Sequence, residues 1–412
     1  MPEIKPFRAW RYHPAKVKDL SLVVAPPYDV ISKEEQARLY EASPFNVIRM
    51  ELGKEMPGDS DSDNRYTRAK RFLDGLKNEG VLAQEKDPSL YVYVQDYEEE
   101  GKKKSRTGFF AAMKLDEKAV LKHENTLTGP KEDRLHLLKA VRTNLSPIFG
   151  LFEDAPGGIQ ALLRLSTKKA PVLDVRVAGV RHRLFVEGRA DVARKILAKI
   201  KTKPMFIADG HHRFEVACQF KKWMSAKGSW DYVLTYFADV RHNPFKIFPT
   251  HRLLKVSGNK PLAERLKGRG VLKPCSEHAC AFPAKPYQFG FFSKKEGFQI
   301  FTLSPKVASG INRKDPVDRL DVAVLHKHLI GPSFGIQAIE RSDSIDFTRN
   351  PDEAIEKVKK GEWDLAVFLR PTSLDDMLQA SKKGLKMPQK STYFYPKLLT
   401  GLVFHGFDGG LS

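Results

Sequence analysis

A chain of 412 residues is about two to three times the usual domain length, and its 41% hydrophobic and 10% aromatic content excludes a disordered chain. No apolar run approaches the ~18 residues of a membrane span, the start Met-Pro-Glu-Ile-Lys-Pro-Phe lacks a signal-peptide core, and three cysteines exclude a disulfide framework, so a soluble cytoplasmic protein without membrane contact is expected. The 70 Lys/Arg against 50 Asp/Glu give a formal charge of +20, and the window Arg194–Lys273 alone holds 18 basic and 5 acidic residues, which points to an anionic partner: nucleic acid, a small polyphosphate, or only solvent.

Strand and helix signals alternate along the chain, which predicts a mixed α/β class. Near the start, Pro26-Pro27-Tyr28-Asp29-Val30-Ile31-Ser32 reads as a rigid loop entering a helix. Leu90–Gln95 and Thr107–Leu115 are β-rich runs around Glu98–Lys104, a hairpin with a charged tip. Pro130 suits a first helical turn, and Leu135, Leu138, Val141 and Leu145 follow at helical spacing, so Lys131–Asn144 is predicted helical. Short strands at Val172–Val177 and His182–Val186, a basic helix at Val192–Lys201 and an apolar strand at Met205–Ala208 come next. That strand ends at Asp209-Gly210, and His211–Met224 resumes a helical pattern. Tyr232–Val240 is a further strand, and Ile247–Arg252 reads as a strand end or loop. Ser257-Gly258-Asn259-Lys260-Pro261 reads as a linker, and Tyr287–Phe292 with Phe298–Leu303 as a second hairpin. Helices at Pro316–Ile330, Pro351–Lys360 and near Leu374–Ala380, with a strand at Leu365–Leu369, complete the series. The expected division is an N-terminal α/β region over 1–88, a core over 89–257 and a C-terminal α/β domain over 258–412.

Ordinary nucleotide-loop, dinucleotide and zinc-protease signatures are absent from the sequence. Gly331-Pro332-Ser333-Phe334-Gly335 matches the letters of a nucleophile elbow, yet helical spacing precedes it where a strand is required, so a helix C-terminal turn is the better reading. Cys275, His278 and Cys280 offer only three soft ligands without a second pair, which favours two ordinary thiols beside a surface histidine over zinc.

The stretch Asp209-Gly210-His211-His212-Arg213 carries the strongest signal. A strand that ends in glycine and enters a helix turns free backbone N–H groups toward an anion. Arg213 adds a fork able to hold two phosphate oxygens, and the histidines add further donors. Asp209 is out of place for pure anion binding; a carboxylate there can hold Mg²⁺, position a hydroxyl or orient a histidine. A second cluster, His123-Glu124-Asn125-Thr126 followed by Lys131-Glu132-Asp133-Arg134, sets carboxylates, a hydroxyl and cations around the start of a helix. That mixture suits phosphoryl transfer better than passive binding, because cations must meet the phosphate and a base the acceptor; a capping arrangement with surface ion pairs would explain half of it. Met387–Lys397 packs aromatics beside lysines; base stacking is one reading, and a buried strand with lysines lining an anionic pocket is the better one.

With Arg8-Ala9-Trp10-Arg11 and Pro27–Ser32, these motifs together resemble a bacterial and archaeal family long catalogued as a domain of unknown function. The Asp209–Arg213 core resembles the phosphate loop of the ParB/sulfiredoxin superfamily, which implies a ParB/sulfiredoxin-like core with added N-terminal and C-terminal α/β regions. Free serine kinases of that superfamily pair such a loop with an upstream His-Glu, here His123-Glu124. The resemblance implies a kinase that makes O-phospho-L-serine from L-serine, with pyrophosphate, ADP or ATP as donor and Mg²⁺ as companion. Glu124 and Asp209 would be catalytic, and Gly210, His211, His212, Arg213, Thr126, Lys131 and Arg134 would bind phosphate. His251 and Arg252 would bind the substrate, Arg252 its carboxylate; no protein metal ligand is assigned. The rival reading is a ParB-like nucleotide- or nucleic-acid-binding protein without kinase chemistry. DNA-binding relatives carry a helix-turn-helix after the loop, whereas strands follow here, so nucleic acid is expected to bind only weakly and non-specifically. A sulfiredoxin-like redox role would want a cysteine where His211 and His212 stand.

Overall fold

The computed structural model describes residues 2–124, 128–337, 339 and 342–408. They fall into two compact units, one formed by Met1–Leu121, Thr126–Phe245 and Pro396–Ser412, the other by Lys122–Asn125 and Lys246–Tyr395. Both are mixed α/β, as expected. Among the described residues no helix is long and apolar enough to cross a membrane.

The first unit is built on a mixed sheet of nine strands among the described residues: β1 (Ile4–Lys5), β2 (Leu90–Glu99), β3 (Lys102–Lys114), β4 (Val120–Leu121), β5 (Ile148–Phe152), β6 (Leu173–Val177), β7 (Val180–Glu187), β8 (Met205–Asp209) and β9 (Tyr232–Asp239). Their order is β4-β8-β5-β9-β3-β2-β7-β6, with β1 beside β3. The pairs β4/β8 and β5/β9 are parallel and the rest antiparallel. The expected charged hairpin is β2–β3, with the turn at Glu100-Gly101, both at positive φ.

Period-two alternation gives the central strands β2, β5 and β9 two buried faces. Leu90, Val92 and Val94 share a core with Ile159 and Leu163, with Val192 and Ile196, and with Phe214 and Ala217. These come from helices α1 (Gly158–Ser166), α2 (Ala190–Ile200) and α3 (His211–Met224), so one sheet face is covered by helices. Tyr91 and Tyr93 point the other way. There Tyr93 packs on Phe110 and Tyr236, and the tail that follows Pro396 crosses them: Gln95 donates to the Lys397 carbonyl at 2.8 Å, and the buried Arg106 donates to that of Pro396. Helix α4 (Thr128–Val141), close to the predicted Lys131–Asn144, packs on α3.

The second unit has a six-stranded sheet among the described residues: β10 (His251–Leu254), β11 (Gly270–Pro274), β12 (Gln288–Ser293), β13 (Gly297–Leu303), β14 (Ile345–Thr348) and β15 (Leu365–Phe368), in the order β11-β13-β12-β15-β10-β14. Helix α5 (Pro351–Lys359) covers it through Ala354, Ile355 and Val358. Cys280 is buried in the same core and donates to the Phe291 carbonyl at 3.4 Å. Burial pushes its thiol up to about 12. The letters Gly331–Gly335 lie at a helix end, with Gly335 in left-handed conformation at φ +74°, as a C-terminal turn requires.

Candidate functional site

Strand β8 is a continuous apolar run buried on both faces, and its register against β5 shifts between Ile207 and Asp209. The shift falls where the strand must re-aim its last side chain. Gly210 then takes φ +91°, which an L side chain resists, and caps α3 without a side chain to bond the first-turn N–H groups. A Cβ at this position would also stand 3.1 Å from Arg213 Nε.

Asp209 is clamped from two sides. Lys397 Nζ donates to Oδ1 at 3.0 Å and Arg213 Nη2 to Oδ2 at 2.8 Å. Burial alone would raise the Asp209 pKa; the charges of Lys397 and Arg213 overcome it and hold the carboxyl well below the usual range. The other end of the Arg213 fork donates to the Pro147 carbonyl. Both terminal nitrogens of the fork expected to face two phosphate oxygens thus make contacts within the protein. His211 is buried and His212 half-buried.

Helix α4 brings two more of the expected residues to α3. Lys131 Nζ lies 3.3 Å from Glu215 Oε2. Arg134 is buried, gives Nη1 to the Glu51 carbonyl at 2.7 Å and Nε to Asp133 at 2.6 Å, and stacks 4.2 Å over the Tyr28 ring. Arg134, Arg213, Glu51 and Ser146 share the wall of a small cavity of about 50 Å³. Ser146 Oγ donates to Glu51 at 2.8 Å, while burial raises the Glu51 pKa against the pull of Arg134. Thr126 lies outside the described residues.

Glu124, His251 and Arg252 belong to the second unit. Glu124 forms a bridge with Met387, and its Oε1 accepts from the Lys390 N–H at 3.0 Å. His123 joins the same segment: its carbonyl accepts from Met387 N at 2.7 Å, and its Nε2 lies 3.3 Å from Thr392 Oγ1. Arg252 is fully buried. Its Nε donates to His326 Nε2 at 3.1 Å, Nη1 to the Thr250 carbonyl and Nη2 to the Lys390 carbonyl at 3.5 Å, and no carboxylate pairs with it among the described residues. Burial pushes its pKa down to about 9, so it keeps its charge at neutral pH. His326 is driven by burial, and then by Arg252, down to about 2 and serves as a neutral acceptor. His251, next along β10, turns from Arg252 to pack edge-on against Phe368 at 5.1 Å. Lys390, at φ +55°, thus meets Glu124 through its N–H and Arg252 through its carbonyl.

Sequence reasoning did not single out Lys397, Glu51 or His326 as site residues. Lys397 closes the lysine-aromatic run and had a signal there; Glu51 and His326 had none, because their partners lie far along the chain.

Solved structures similar to this chain include a free serine kinase in complex with AMP, at 14% identity and TM-score 0.38, covering 69% of this chain and 86% of that one. A conserved hypothetical protein from Pyrococcus furiosus matches at 14% identity and TM-score 0.37, over 70% of this chain and 92% of its own. SbnI with a C-terminal truncation, from Staphylococcus aureus, matches at 11% identity and TM-score 0.37, over 71% and 86%. No curated protein matches the sequence. The family model described as "protein of unknown function (DUF1015)" matches residues 4–323, and the chain belongs to that family.

Proposed function

We propose that this protein is a small-molecule kinase that transfers a phosphoryl group to the hydroxyl of free L-serine, with pyrophosphate, ADP or ATP as donor. The observation that carries the reading is the placement of Glu124 and Arg252 on the two backbone polar groups of one residue, Lys390. A carboxylate and a guanidinium set one residue apart suit a short acceptor with a hydroxyl at one end and a carboxylate at the other. Because Arg252 is buried, the serine carboxylate takes the place of the Lys390 carbonyl, a contact already long at 3.5 Å. In the reaction the serine oxygen bonds to the donor's terminal phosphorus as the bridging P–O bond breaks and phosphate, AMP or ADP leaves, from pyrophosphate, ADP or ATP respectively, and Glu124 takes the hydroxyl proton.

In the first unit the N–H groups at the start of α3, opened by Gly210, are the proposed phosphate cradle, with His211 and His212 beside them. Arg213 acts there as a positioning residue, fixing Asp209 and lending its charge. Lys131 adds a further cation on α4, whereas the donors of Arg134 are engaged by Glu51 and Asp133. Asp209 does not fit a magnesium ligand, since two cations within 3.0 Å of its oxygens would repel the ion. Magnesium enters only as a companion of the donor phosphates, and no step passes through it. Incubation with Mg²⁺, L-serine and each donor in turn, read by phosphorus NMR, should yield O-phospho-L-serine with at least one of them. No phosphoserine from any donor would refute the assignment.

A further inference from the structure

The second unit holds a cleft of about 830 Å³, lined by residues that none of the roles above uses. Its two carboxylates are already committed. Asp321 accepts from Arg370 Nε at 2.9 Å and from the Tyr287 N–H at 3.0 Å. Asp376 accepts from Arg319 Nε at 3.1 Å and from Ser373 Oγ at 2.7 Å. These acids orient the guanidinium groups and have their own charge offset, so they do not turn an anion away.

Arg370 is held through Nε alone, and its two terminal nitrogens make no hydrogen bond to the described residues. Arg313 and Lys285, both exposed, have neither ion pair nor hydrogen-bonded side chain among the described residues. Tyr287 sits half-buried in the wall at φ +57°, a conformation rare for a bulky residue and kept here by the bond of its N–H to Asp321. Three cations with donors to spare and one fixed aromatic ring thus face a cleft of the volume that small-molecule sites occupy, about 300–1,000 Å³.

We propose that this cleft binds a nucleoside polyphosphate, its phosphates on Arg313, Arg370 and Lys285 and its base against Tyr287. Bidentate guanidinium contacts suit phosphate oxygens, and a base stacks on a phenol ring whatever its sequence identity. A bare pyrophosphate would leave most of the volume and the ring unused. The proposal does not depend on the serine kinase reading and survives its failure.

The test is calorimetry of the full chain with ADP and, separately, pyrophosphate. The double variant Arg313→Ala/Lys285→Ala removes exposed side chains that hold nothing in place, and Tyr287→Gly suits the backbone at that position; thermal melts check that each is folded. ADP affinity should fall at least about tenfold in both variants, the scale of one charge-assisted contact in the double variant and of one base stack in Tyr287→Gly, while pyrophosphate affinity should fall only in the double variant. The Arg213→Lys variant should leave this ADP binding in place. ADP affinity unchanged in the double variant, abolished only by Arg213→Lys, or absent from the unaltered protein at millimolar concentration would overturn the proposal. Loss in the double variant with no effect of Tyr287→Gly would overturn the nucleoside assignment.

Discussion

Glu124→Gln keeps the side chain's shape and its ability to accept from the Lys390 N–H, yet removes the proton acceptor. Turnover to phosphoserine should drop by roughly 10²–10⁴ with donor affinity nearly unchanged, which steady-state kinetics and calorimetry together resolve. Full retained turnover would move the base elsewhere. Asp209 makes a different prediction, about stability and pH. Its folded pKa lies below the ordinary carboxylate range, so its contribution is fully present above the unfolded value of about 3.9 and is lost as pH falls through the folded value. Asp209→Asn strands Lys397 and Arg213 without their counter-charge and should cost about 3 kcal/mol at pH 7. That deficit should shrink as pH drops below about 4, where the carboxyl of the unfolded wild-type chain takes up a proton while the folded one stays ionised. Urea unfolding of both proteins at pH 7 and pH 3 gives the comparison, and a deficit independent of pH would assign the cost to packing instead.

At the level of elements, the junction β8–Gly210–α3 was legible in the sequence. Met205–Ala208 is apolar without interruption, Asp209-Gly210 breaks the run, and the helical spacing of Phe214, Ala217 and Cys218 restarts at once; the helix His211–Met224 has the bounds its pattern predicted. What joins this junction to the rest was not legible. Lys397 reaches Asp209 across 188 residues, and local periodicity carries no record of such a return. Ile247–Arg252, read as a strand end or loop, is in fact parts of two strands, Lys246–Phe248 and His251–Leu254, with Pro249 in the gap; the first pairs with Tyr393–Tyr395, again a distant partner. The helix expected from Pro316 begins only at Asp321, because Asp315 accepts from the N–H groups of Val317 and Asp318 and holds that stretch in a turn. The same local logic yields a test of the junction. Gly210→Ala forces a Cβ into left-handed backbone 3.1 Å from Arg213 Nε, and should destabilise the fold by about 1–2 kcal/mol while weakening donor binding, because the first-turn N–H groups shift. A variant as stable as the parent would show that the turn is not strained.

For the whole molecule, the meaning of the +20 charge decides between a small-anion enzyme and a nucleic-acid binder. The basic window is less available than its composition suggests. Lys203 is paired with Asp154 at 3.1 Å, Arg213 with Asp209 at 2.8 Å, Lys221 with Asp231 at 3.4 Å, Lys222 with Glu117 at 3.3 Å and Arg241 with Glu153 at 2.8 Å, while Arg252 is buried. The most exposed among them, Lys222–Glu117, is individually weak, but each acid lowers the local field that a phosphate backbone would meet. Affinity for duplex DNA depends on how many phosphates are neutralised at once, and its logarithm falls with the logarithm of salt at a slope of about −0.9 per contact. With its cations divided among acids, this surface should engage few phosphates. Fluorescence anisotropy with labelled duplexes should therefore show binding only at low salt, a slope shallower than about −5, no difference between unrelated sequences, and no measurable affinity at about 0.15 M salt. Sequence-selective binding that persists at that salt, with no phosphoserine formed from any donor, would replace the kinase by a nucleic-acid module.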